Sequence, residues 1–154
     1  MTKTETIELI HATCVQHGIT LPKQQAYVLA TVEHETNATF RPVREAYWLS
    51  EKWREEHLRY FPFYGRGYVQ ITWERNYRIF GNLLDIDLVA EPDLAMEPAI
   101  AAFILVVGFR DGLFTGKKIS DYITRLRTDY VGARRCINGT DKAGHIADLV
   151  KHYL

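Results

Sequence analysis

The chain is poor in the features that announce a protein class outright. Its 154 residues include two cysteines, Cys14 and Cys136, far apart and each in a helical pattern. No disulfide framework can be argued from them, and lone thiols are expected to suit a reducing compartment. The formal net charge is zero, so nothing global points to nucleic acid or a membrane surface as partner. The longest apolar run, Ala99 to Phe109, covers eleven residues, too few to span a bilayer and suited to a buried helix. The polar start Met1-Thr-Lys-Thr-Glu5 runs directly into an amphipathic helix, so no signal peptide is expected. There is no Cys/His cluster, no second histidine four residues after His34, and no serine in a Gly-x-Ser-x-Gly elbow. Zinc-protease and serine-hydrolase chemistry therefore lack their residues, and no metal or cofactor is expected.

Repeats, low-complexity tracts and linkers are absent as well. Residues 1–154 read as one domain, long enough to bury about 70% of its unfolded surface, and expected to be monomeric. The zero charge hides an asymmetry. Residues 1–100 carry 10 Lys/Arg against 14 Asp/Glu, and residues 101–154 carry 9 against 5. A basic carboxy-terminal third could attract an anionic polymer.

Apolar spacing predicts helices over Thr4–His17, from Pro22 to about Thr36, over Val43–Leu58 and around Asn76–Leu84. Further helices are predicted over Pro98–Arg110, Ser120–Arg127, Asp129–Ile137 and Thr140–His152. Pro62 to Gly67 reads as a turn leading into a strand, Tyr68 to Trp73. Alternation there puts Val69, Ile71 and Trp73 on one face, with Tyr68, Gln70 and Thr72 on the other. The expected fold is mainly helical with one small hairpin or strand element.

Glu35 stands out chemically. It ends an otherwise apolar helix, following Val28, Thr31 and Val32 on the same flank. The carbonyl end of a helix and partial burial both disfavour a negative charge. A carboxyl so placed is expected to keep its proton near neutral pH, as a general acid for glycoside cleavage must. Such chemistry needs a second carboxylate. Glu51, Glu55 and Glu56 lie among Lys52, Arg54 and Arg59 and read as a solvated face. Glu45 differs, because it precedes Tyr47-Trp48, an aromatic pair of the kind that stacks on pyranose rings.

Three blocks in order, His34-Glu-Thr36, Tyr64-Gly-Arg-Gly-Tyr-Val-Gln-Ile-Thr-Trp-Glu-Arg-Asn-Tyr77 and Ile137-Asn-Gly139, resemble glycoside hydrolase family 19, the chitinases and related phage endolysins. The resemblance covers about residues 22 to 140, and Leu88 to Leu94 fits it too. It implies a lysozyme-like fold, mainly α with α+β character, in which the active cleft lies between two helical lobes and borders the hairpin. It gives Glu35 the place of the general acid and Thr72 that of a hydroxyl holding the attacking water. Gln70, Asn76 and Asn138 match polar positions that contact substrate, and His34, Tyr64 and Arg66 of the same matched blocks are expected to bind substrate as well. The plant enzymes follow His-Glu-Thr with Thr-Gly-Gly where this chain has Asn37-Ala-Thr39, and they carry a longer insertion bearing the second glutamate. The short Arg44-Glu-Ala-Tyr-Trp48 segment resembles the endolysin branch instead, which assigns the base to Glu45.

On that branch the expected activity is hydrolysis of the β-1,4 bond between N-acetylmuramic acid and N-acetylglucosamine in peptidoglycan. The alternatives are chitin cleavage and a non-catalytic wall-binding module. A lysis enzyme of this kind would be made in the bacterial cytoplasm. It would reach the wall glycan with a separate membrane-permeabilising, holin-like partner, without stable membrane association.

Overall fold

Thr2 opens the first helix by accepting the Glu5 N–H on its hydroxyl, while the Glu5 carboxylate accepts the Thr2 N–H. This reciprocal cap satisfies two donors that a helix start otherwise leaves orphaned. In the computed structural model, which describes residues 1–154, the helices are α1 (Lys3–Gln16), α2 (Pro22–Glu35), α3 (Glu51–His57), α4 (Glu74–Leu84), α5 (Pro98–Asp111), α6 (Tyr130–Ala133) and α7 (Ala143–Leu149). Short 3-10 turns occupy Pro92–Met96, Ile119–Asp121, Arg134–Cys136 and Val150–Tyr153. The one sheet is an antiparallel ribbon of β1 (Val43–Arg44) and β2 (Arg66–Gly67), with Val43 opposite Gly67 and Arg44 opposite Arg66. No helix is long and apolar enough to cross a membrane.

The apolar run forms α5. Proline opens its first turn, and Gly112 closes it in the left-handed region at φ 69°. This helix serves both lobes. Ala101, Ala102, Leu105, Val106 and Phe109 belong to the larger core with α1 and α2, whereas Ile104 faces a smaller core of Ile71, Tyr77, Phe80, Leu88 and Ala95. The expected mainly helical, two-lobed, lysozyme-like architecture is therefore present.

Three expectations need correction. Val43–Leu58 is helical only from Glu51, where the Ser50 hydroxyl accepts the Trp53 N–H; before that, β1 pairs with β2 and Ala46 turns at φ 51°. Tyr68–Trp73 is no strand. Arg66 and Ile71 bond each other's backbones across a tight loop, closed by Gly67 at φ 99° and Gln70 at φ 60°. Tyr68 is consequently buried with Val69 and Ile71, while Trp73 is exposed. Ser120–Arg127 holds a single 3-10 turn and then a bridge between Ile123 and Thr128. There the Thr124 hydroxyl takes the N–H groups of Leu126 and Arg127, which a helix would have needed.

Candidate active site

Helix α2 is buried continuously from Ala26 to Val32 and comes to partial exposure in its last turn. That change of environment delivers Glu35 to the edge of the core with its side chain 19% exposed. Its Oε1 accepts from Arg134 Nη1 at 2.7 Å, and no protein group bonds Oε2. Arg134 is buried and also donates through Nε to the Asp141 carbonyl at 2.8 Å. An apolar flank and a helix end were the expected surroundings of this carboxyl. The structure adds a buried guanidinium to those surroundings. Sequence reasoning missed Arg134. Its one signal was the pair Arg134-Arg135 set between apolar Ala133 and Cys136.

Glu35 opens into a cleft of about 500 Å³. Thr36, Asn37, Thr39, Arg44, Tyr47 and Met96 are among the residues that line it. Tyr47 and Trp48 are 68% and 71% exposed and stand edge to face, centroids 5.2 Å apart. Exposed aromatics at a polar cleft offer stacking faces to sugars. A second hollow, lined by Glu33, His34, Lys142 and His145, meets the first at Asn37. His34 thus lies on the far side of the α2 end from the cleft, edge-on to His145, and burial pushes its imidazole below the ordinary value.

Glu45 stands just outside the cleft lining. Its Oε1 accepts the Gly65 N–H at 2.8 Å, and its Oε2 accepts the Tyr60 hydroxyl. Each carboxylate oxygen keeps a further lone pair. The contact holds Tyr60 protonated, and burial together with Glu45 pushes that phenol up to about 12. A Cβ at Gly65 would fall 2.6 Å from Gln70 Oε1, so a side chain here would displace the Gln70 amide. Gln70 in turn donates to the Val43 carbonyl at 2.6 Å, tying the loop to β1. Thr72, half-buried, donates to the Gln70 carbonyl, and Asn76 donates to the Thr72 carbonyl at 2.8 Å. Thr72 and Asn76 also lie outside the Glu35 cleft lining.

Tyr64 and Arg66 sit below the surface. Tyr64 is fully buried and Arg66 nearly so, the guanidinium stacked 3.8 Å over the Tyr64 ring. Arg66 also donates to the Pro62 carbonyl, the Tyr77 hydroxyl and Asp93. These two residues, expected at the substrate, instead brace the loop that carries Gln70. Asn138 is exposed, its backbone N–H bonded to the Arg134 carbonyl, which places it at the end of the turn that supplies Arg134. Both cysteines are buried and their thiols are pushed up to about 12, so neither is an activated nucleophile.

Several known proteins are similar to this chain. Rice (Oryza sativa subsp. japonica) Chitinase 8 is 44% identical over 48 residues, spanning 31% of this chain and 18% of the relative. Endochitinase CHI of Arabidopsis thaliana is 29% identical over 91 residues, or 59% of this chain and 32% of the relative. The chain thus spans less than a third of the length of these curated relatives. Among solved structures, chitinase C from Streptomyces griseus HUT6037 superposes with a TM-score of 0.54 at 22% identity, covering 84% of this chain and 60% of that one. A bacterial family 19 chitinase superposes with a TM-score of 0.53 at 20% identity, covering 97% and 86%. The family model for chitinase class I matches residues 22–118, from the first residue of α2 past the end of α5, and the chain belongs to that family, glycoside hydrolase family 19.

Proposed function

We propose that the chain hydrolyses the β-1,4 bond between N-acetylmuramic acid and N-acetylglucosamine in peptidoglycan. The observation that carries glycosidic hydrolysis is Glu35, presented at the mouth of an aromatic-edged cleft with one oxygen held by Arg134 and the other unbonded. In this reading Glu35 gives its proton to the leaving oxygen. Glu45 then activates a water that Thr72 positions, so the anomeric centre inverts. Because Glu45 and Thr72 stand outside the open cleft, the lobes close on the glycan to complete the site. The short segment bearing Glu45, in place of a long insertion, supports the wall-glycan branch of the family.

A second reading, cleavage of plain N-acetylglucosamine polymers, is favoured by the names of the relatives, all of them chitinases. Turbidity loss of permeabilised Gram-negative cells, run beside release of reducing ends from colloidal chitin, tests both. Clearing of cells with no action on chitin is expected. The reverse result transfers the assignment to chitin, and inactivity on both leaves a wall-binding module. Mass spectrometry of the released muropeptides names the bond through its new reducing end.

A further inference from the structure

Three charged side chains line the Glu35 cleft: Glu35, Arg41 and Arg44. Two have a charge partner in place, Glu35 with Arg134 and Arg44 with Asp93, each at 2.7 Å, Asp93 being shared with Arg66. Arg41 is left over. It is exposed, and only its backbone N–H is bonded, to Thr39 Oγ1. A guanidinium stays charged at any working pH and presents its donors in a planar fork that matches a carboxylate. A neutral N-acetylglucosamine polymer offers that fork nothing but hydroxyls and amides. A wall glycan bearing lactyl-linked peptide stems offers it carboxylates. The same sign continues round the end of α2, where Lys142 lines the adjoining hollow and the one carboxylate there, Glu33, is already held by Tyr153 and His152.

Resting on the reading that this cleft takes bacterial wall glycan, we propose that Arg41 is a specificity-determining residue that binds a carboxylate of peptide-substituted strands. It distinguishes them from neutral N-acetylglucosamine polymers.

The test measures binding in a background that does not cut. Protein carrying Glu35→Gln is cosedimented with native sacculi and with sacculi whose carboxylates have been amidated using carbodiimide and glycinamide. The Glu35→Gln protein is expected to bind native sacculi about three- to tenfold more tightly, the range for one charge-assisted contact at a partly exposed site. That preference should shrink at high salt. Adding Arg41→Gln is expected to erase it, and Arg41→Lys to restore part of it. Arg125→Gln, which removes an exposed arginine outside this cleft, controls for bulk charge and is expected to leave the preference intact. Equal preference with and without Arg41, or equal losses from Arg41→Gln and Arg125→Gln, overturns the proposal. Release of reducing ends by the unmodified chain is scored separately, so failure of the hydrolytic reading and failure of the Arg41 assignment are told apart.

Discussion

Arg134 and Glu35 stand 99 residues apart in the chain, yet the Nη1 of one donates to the Oε1 of the other at 2.7 Å. The contact binds the end of α2 to the turn after α6 and fixes the rotamer of the proposed acid. Glu35→Gln keeps a hydrogen-bond acceptor for Arg134 and removes the proton donor. The expected outcome is a folded protein with a lowered thermal midpoint, because buried Arg134 loses its counter-charge, and hydrolysis lowered by roughly two to four orders of magnitude. Activity within tenfold of the parent would take Glu35 out of the mechanism. Arg134→Ala acts differently, since it strips the partner from a mostly buried carboxylate. Denaturant unfolding should show a loss of about 3–5 kcal/mol.

Adjacent residues in the loop after β2 should give opposite phenotypes. Ile71 belongs to the smaller core, and Ile71→Ala is expected to cost roughly 2–5 kcal/mol through the cavity it leaves. Thr72 is half-buried, with its hydroxyl on the Gln70 carbonyl. Thr72→Ala should lower the rate by about one to two orders of magnitude with little change in unfolding, because one positioning contact for water is lost. An exchange of the two phenotypes would mean that the cleft lies on the other face of this loop.

Stereochemistry tests Glu45. Action through a water inverts the anomeric centre and needs the two carboxyls roughly 6.5–9.5 Å apart in the closed complex. Glu45→Ala should lose most activity and regain part of it with azide, yielding an α-configured glycosyl azide from a β-linked substrate. NMR of the first product formed by the parent enzyme decides the matter, retention being the outcome that rules the mechanism out. Glu45→Gln separates chemistry from scaffolding, since an amide oxygen can still accept the Gly65 N–H.

His34 gives a pH signature. Burial holds its imidazole below the ordinary 6.5, with the opposing pull of Glu35 the next influence. The ring therefore takes a proton more readily in the unfolded chain than in the folded one. Stability is fully present above the unfolded value and falls as pH drops from there through the lower folded value. An NMR titration should place the His34 midpoint below that of an unfolded peptide. Stability of His34→Gln should be flatter across this window than that of the parent. A midpoint at or above the peptide value contradicts the burial argument.

Helices α1, α2, α4 and α5 were legible nearly to the residue, because each joins a clear apolar period to a local start or stop signal. Glu35 was legible for the same reason, as a polar residue ending an apolar helix. The failures share a cause. Between Val43 and Ser50, and between Tyr68 and Trp73, the backbone follows long-range bonds and positive φ angles at Ala46, Gln70 and Trp73. These are residue types that carry no turn signature, so periodicity had no warning of them. Tyr64 and Arg66 were legible as a motif but not as a location. Their burial depends on Asp93 and Tyr77, which approach from other elements. Arg134 was invisible as the partner of Glu35 because nothing local couples positions that distant.

Asp93 gives the cleft wall a particular mechanical character. Its side chain is 69% exposed, yet Oδ1 accepts from both Arg44 in the cleft and buried Arg66. The Arg44 hydrogen bond leads the influences that lower its carboxyl below the usual range. The part of the lining that Arg44 supplies is thus fastened at a point that water reaches. Water screens the Arg44–Asp93 pair, whereas the Arg66 guanidinium is 3% exposed and has Asp93 as its charge partner. In the proposed function a glycan entering the cleft would meet one side held from inside the protein through buried Arg134 and another tied to a carboxylate that water reaches.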